Sequence, residues 1–125
     1  MLNSEISSQE HLFPVGFSRE FDAHVYYTAE SRNQAIQLRA QAIAYFHDRP
    51  IFVGALVDEL VGPHPLPMFE INFAAGFLGE VVLWLIRNRG ESSVLVHEVT
   101  GDDWKDHSSG AVWLGEVLKL DDSNF

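Results

Sequence analysis

The chain has no cysteine among its 125 residues. That excludes disulfides, thiolate nucleophiles, zinc ribbons and iron–sulfur clusters together, so any bound metal must be held by His, Asp or Glu. Basic residues are scarce as well: eight Lys and Arg against 18 Asp and Glu give a formal charge of −10. Phosphate backbones are held by clustered cations, so a nucleic-acid partner is not expected. Long apolar runs are also missing. The longest, Phe73 to Ile86, is interrupted by Glu80 and is too short to span a bilayer. No basic stretch followed by an apolar run opens the chain, so no secretory signal is visible. The expectation is a soluble cytoplasmic protein without a membrane partner. No Walker loop, Rossmann glycine fingerprint or Gly-x-Ser-x-Gly elbow occurs, and Thr100-Gly-Asp-Asp103 matches a calcium loop only faintly.

What is present is enough for one domain with a real core, since 46% of the residues are hydrophobic. Residues 1–16 are polar and read as a flexible N-terminal arm, with the domain over 17–125. Phe21 to Tyr27 alternates, placing Phe21, Ala23, Val25 and Tyr27 on one face and Asp22, His24 and Tyr26 on the other, as in a half-buried strand. Ser31-Arg-Asn-Gln34 fits a capping box. Ala35, Leu38, Ala42 and Phe46 follow at helical spacing, joined by Ile36 and Ile43, and Pro50 stops a helix ending near Asp48.

Ile51 to Val57 reads as a second strand and Met68 to Phe73 as a third, with Met68, Glu70 and Asn72 on one face of the latter. Phe77 to Asn88 reads as a buried helix closed by Gly90, and Ser93 to His97 as a fourth strand. Thr100 to Gly110 reads as a polar loop. Val112 to Leu120 is expected to add a strand or a docking segment. The order β-α-β-β-α-β predicts an α+β, ferredoxin-like fold: a four-stranded antiparallel sheet with both helices on one face, plus a C-terminal extension. The other face needs a cover, which a homodimer or the C-terminal segment would supply.

Strand parity in that fold puts His24, Tyr26, Glu70, Asn72 and His97 on the open face. Two histidines and a carboxylate from adjacent strands form the donor set of a two-His-one-carboxylate iron site. Structural alternatives stay open: His24 bonded to Asp22 or Tyr26, Glu70 merely solvated, His97 bonded to the Thr100 loop. His64 lies between Pro63 and Pro65, where a stiff loop could hold it as a further ligand or a proton carrier. In Asp106-His107 the acid could orient an imidazole, and Trp104 beside it could be a lid. His11 and His47 lack such context, and Trp84 and Trp113 read as core.

At these phrases the chain resembles the DOPA 4,5-dioxygenase family, small extradiol-type ring-cleaving proteins of fungi and bacteria. The phrases are Phe21-Asp-Ala-His-Val-Tyr-Tyr27, Gly62-Pro-His-Pro65 with Phe69-Glu-Ile71, Trp84-Leu85, Leu95-Val-His97, Thr100-Gly-Asp102, Asp106-His107 and Trp113-Leu-Gly115. They run in order through about residues 20 to 120. The resemblance implies ferredoxin-like dimers that cleave DOPA or a related catechol beside its hydroxyl pair, using non-haem Fe(II), or another divalent metal such as Zn as isolated, and O2. It carries over onto His24, His64, His97, His107 and Glu70. On that basis His24, Glu70 and His97 are expected as metal ligands, with His64 an alternative to Glu70. His64 and His107 are expected as acid–base or substrate-orienting groups, and Tyr26 and Asn72 as substrate contacts. Arg19, Arg32 or Arg39 could clamp a substrate carboxylate if the fold turned one inward. Two other readings share the same histidines: a non-catalytic dimeric metal- or ligand-binding module, and a cofactor-free oxygenase of the dimeric α+β barrel type.

Overall fold

A computed structural model describes residues 20–123. The expected arm over 1–16, His11 and Arg19 lie outside the described residues. The five strands are β1 (Glu20–Tyr26), β2 (Phe52–Val53), β3 (Met68–Ala74), β4 (Val94–Glu98) and β5 (Ala111–Leu114). The helices are α1 (Arg32–Phe46), α2 (Leu78–Asn88), entered through a 3-10 turn at Ala75–Phe77, and α3 (Asp103–His107). The sheet is antiparallel throughout, in the order β2-β3-β1-β4-β5. Its first four strands take the expected arrangement. The C-terminal extension supplies a fifth, so the four-stranded sheet anticipated from the sequence is extended at the β4 edge.

The two sheet faces carry different chemistry because side chains alternate along each strand. Ala23, Val25, Ile71, Phe73, Val94 and Val96 pack beneath α1 and α2, against Ala35, Leu38, Ala42, Phe46, Val81, Trp84 and Leu85. On the opposite face a smaller cluster of Tyr26, Met68 and Leu95 is covered by Leu66, Trp113, Leu118 and Leu120. The C-terminal segment is therefore one cover of that face, and the Asp121 amide ties it to the His64 loop by donating to the Pro63 carbonyl at 2.9 Å.

Four local expectations change. The Ser31 hydroxyl accepts from the Thr28 amide at 2.8 Å instead of capping α1, so no capping box forms. Ile36 and Ile43 stay largely exposed, because α1 buries a narrower stripe than they would require. The strand expected over 51–57 pairs regularly only at Phe52 and Val53 before pairing resumes at Val57 and Met68. Residues 54–56 then oppose only Phe69 and Glu70, a bulge of one residue that breaks the ladder. The polar loop of 100–110 contains α3, a short helix whose start is capped by Asp102 accepting from the Lys105 amide. Gly90 ends α2 as expected, in the left-handed region at φ 59°.

Candidate metal centre

Register brings the strand residues of the site together. His24 on β1 stands opposite Glu70 and Leu95, and Asp22, two residues earlier on the same face, stands opposite Asn72 and His97. His97 is thus a diagonal neighbour of His24, close enough for long side chains to meet. Their Nε2 atoms lie 2.9 Å apart.

Two loops complete the cluster. The proline-flanked turn, closed by the His64 amide on the Val61 carbonyl, lays His64 over His24 with ring centroids 4.2 Å apart. His107 arrives from the end of α3, 4.1 Å from the His97 ring and 5.0 Å from that of His64. All four histidines are buried. They line a cavity of about 290 Å³ with Asp22, Glu70, Asp103 and Asp106.

Asp106 does not orient the neighbouring imidazole. Its buried carboxylate accepts from the Thr100 amide at 2.8 Å and the Thr100 hydroxyl at 2.5 Å, which fastens α3 to the loop that follows β4. His107 is oriented by the Asp103 backbone carbonyl, to which its Nδ1 donates at 2.7 Å.

Hydrogen bonding fixes the tautomers. A carbonyl oxygen can only accept, so Nδ1 of His107, and Nδ1 of His97, which meets the Glu98 carbonyl at 2.8 Å, carry the protons. Both Nε2 atoms are then bare lone pairs. His24 must donate from Nε2 to His97, which leaves its own Nδ1 bare and, among the described residues, without a partner. His64 meets the Tyr26 hydroxyl through Nδ1 at 2.7 Å. Burial raises the Tyr26 pKa and keeps it a phenol.

Burial and mutual proximity favour the neutral form of His24, His64 and His107. Burial, and then the proximity of His64, His97 and His107, pushes His24 well below its ordinary value. Burial, with His107 and His97, lowers His64 to about 4. Burial also lowers His107, partly offset by the Asp103 carbonyl. Neutral imidazole is the form that binds metal.

The donors fit a divalent transition metal. Each contributes one ligand atom to two triads, His24–His64–His107 and Asp22–His24–His97, within which all ligand atoms lie inside 4.8 Å. Two nitrogens about 2.1 Å from one ion and at right angles would be about 3 Å apart, which matches the Nε2 atoms of His24 and His97 once His24 carries its proton on Nδ1 instead. Imidazoles with a carboxylate suit iron or zinc better than calcium or magnesium, which prefer all-oxygen shells. Among the described residues, Nδ1 of His24 is also a fully buried side-chain nitrogen without a hydrogen-bond partner.

Of the residues singled out from the sequence, His24, His64, His97 and His107 converge. Glu70 lines the same cavity but belongs to neither triad. Asn72 lies aside, its amide donating to Glu20 and Asp22, and Tyr26 lies behind His64. Neither of these two, nor Trp104, lines the cavity. Arg32 pairs with Asp58, and Arg39 donates to the Gly54 carbonyl. His47 caps its own helix end through the Ala44 carbonyl. Asp22 is the donor that sequence reasoning missed, although its spacing of two from His24 places it on the same face.

An antiparallel α+β sheet carrying a buried histidine cluster defines a domain whose donors could hold a metal ion. The Dopa 4,5-dioxygenase family matches residues 21–124, and the chain belongs to that family. A solved structure from Nostoc punctiforme, described as a "putative dioxygenase", superposes with a TM-score of 0.71 at 34% identity, covering 85% of this chain and 89% of that one. An uncharacterized 21.2 kDa protein of Botryotinia fuckeliana is 35% identical, over 85% of this chain and 63% of that protein. The DOPA 4,5-dioxygenase of Amanita muscaria is 28% identical, over 85% of this chain and 49% of the enzyme. The chain thus spans about half to three-fifths of the length of these two relatives. No helix among the described residues is long and apolar enough to cross a membrane.

Proposed function

We propose that the protein is an extradiol-type dioxygenase that opens the ring of a catechol beside its hydroxyl pair, with Fe(II) held in the histidine centre. The observation that carries this reading is the convergence of four buried imidazoles with carboxylates around one cavity, in a chain of a dioxygenase family. Both atoms of O2 enter the ring-opened product, so the electrons come from the catechol and no external reductant is needed. The metal, when bound, supplies Lewis acidity and the electron chemistry that lets O2 react with the ring.

In this reading His24 and His97, with Asp22 as the carboxylate, hold the metal, and His64 and His107 face the substrate from the loops. His97 keeps its Nε2 available because the Glu98 carbonyl holds its other nitrogen's proton. In the tautomer this reading requires, the Tyr26 hydroxyl would donate to Nδ1 of His64 and hold that ring's proton on Nε2, where it could pass to a substrate oxygen. Burial of the four rings limits the access of water to their nitrogens.

The test is to load metal-free protein with Fe(II) anaerobically, add catechols, admit air, and follow oxygen uptake and a yellow ring-fission product. Stoichiometric oxygen consumption is expected. Metal binding without oxygen uptake across several catechols would leave only a binding module. Turnover surviving exhaustive chelation would return the histidines to simple bases. The proposal includes a homodimer, supported by the exposed apolar side chains of Leu83, Ile86 and Val112. Light scattering should give about twice the chain mass, and a monomer at micromolar concentration would remove that element.

A further inference from the structure

The walls of the histidine cavity are acidic. Asp22, Glu70, Asp103 and Asp106 line it, and no lysine or arginine does so among the described residues. Asp106 is committed, with both oxygens accepting from Thr100. Asp22 accepts from Asn72 and is grouped with the metal donors. Glu70 and Asp103 are not engaged in that way. Glu70 is half-buried in the wall, and the Asp103 side chain is exposed at its edge. Arg32 and Arg39, two candidate clamps for a substrate carboxylate, are engaged with Asp58 and the Gly54 carbonyl. That the cavity awaits a ligand rests on a separate observation, the buried His24 ring with its unpartnered Nδ1.

A divalent cation is balanced by the two oxygens of a bound catechol, so the surplus negative charge of the walls acts on the rest of the substrate. With few cations nearby, that field attracts an ammonium group and repels a carboxylate across the short distances of a cavity this size.

We propose that the cavity selects catechols bearing a protonated amine on the side chain and discriminates against those bearing a carboxylate, with Glu70 and Asp103 as the specificity-determining residues. The inference rests on the catechol reading above and deepens it by naming the substrate class. A catechol amino acid, which carries both charges, falls between the two extremes.

The test uses Zn(II)-loaded protein, which binds without turnover because zinc does not change oxidation state. 4-Nitrocatechol serves as the chromophoric occupant. It is displaced anaerobically by 2-(3,4-dihydroxyphenyl)ethylamine or by 3,4-dihydroxyphenylacetate, which share a ring and differ in side-chain charge. The amine should displace it at a concentration at least about tenfold lower than the acid, with the gap narrowing in high salt. Glu70→Gln and Asp103→Asn should each shrink the preference, and unchanged zinc stoichiometry in both variants reports an intact centre. Equal displacement, preference for the acid, or a preference that neither variant alters would overturn the inference while leaving the catechol reading in place. Absence of 4-nitrocatechol binding would overturn that reading, and this inference with it.

Discussion

At the scale of single residues, the centre depends on which nitrogen each imidazole leaves bare. The Glu98 and Asp103 carbonyls settle that for His97 and His107, whereas His24 has no such anchor and belongs to both candidate triads. Metal analysis of alanine variants separates the triads. His24→Ala should abolish stoichiometric binding. His97→Ala and Asp22→Asn should weaken zinc affinity by roughly a hundredfold or more, in line with the loss of a ligand or its close support. His64→Ala should keep its metal and lose turnover. If His64→Ala and His107→Ala lost the metal instead, the ligand set would be His24–His64–His107.

At the scale of elements, the sheet supplies rigidity, the proline-flanked loop supplies His64 and α3 supplies His107. α3 is too short to be stable alone, since an isolated helix of five residues cannot repay its nucleation cost. It is held by the buried Asp106 carboxylate on Thr100. Asp106→Ala removes both bonds and leaves the Thr100 donors without their acceptor. The expected loss of stability is on the order of 2 kcal/mol in urea unfolding, accompanied by weaker zinc binding as His107 drifts from the cluster. A variant with wild-type midpoint and zinc affinity would show that α3 is positioned by other contacts.

At the scale of the whole molecule, a core face and a reactive face share one sheet, and concentrating four imidazoles on the second has a pH consequence. Below about pH 6.5 the unfolded chain protonates these histidines, while the folded chain, with His24, His64 and His107 displaced downward, resists. The unfolded state therefore binds more protons and stability falls as pH falls. The loss starts near pH 6.5 and, for His64, is complete near its folded value of about 4. His64 alone corresponds to roughly 3 kcal/mol at about 1.4 kcal/mol per pH unit. Glu70, displaced upward, works in the opposite sense but is a single half-buried group. Denaturation midpoints of metal-free protein should decline from about pH 7 to about pH 4, and saturating zinc should resist the decline at the upper end. A flat profile would contradict the buried neutral cluster.

Much of this was legible in the residues themselves. Alternation along Phe21–Tyr27, Met68–Phe73 and Ser93–His97 has a period of two, so it fixed which side chains share a face before any contact was known, and His24, Glu70 and His97 do share one. The helical stripe of Ala35, Leu38, Ala42 and Phe46 likewise identified the side of α1 that is buried. Other features were not legible because they depend on contacts between distant segments. The Gly54–Leu56 bulge follows from how β2 meets β3. The role of Asp106 depends on Thr100 folding back over it, and the place of Tyr26 behind His64 depends on a loop 38 residues away. Local periodicity thus determined the two faces of the sheet. Which carboxylate meets which imidazole, and which nitrogen is left bare for a metal, was decided only in the tertiary structure, because register, diagonal neighbours and hydrogen-bond direction arise when separate strands and loops are packed together.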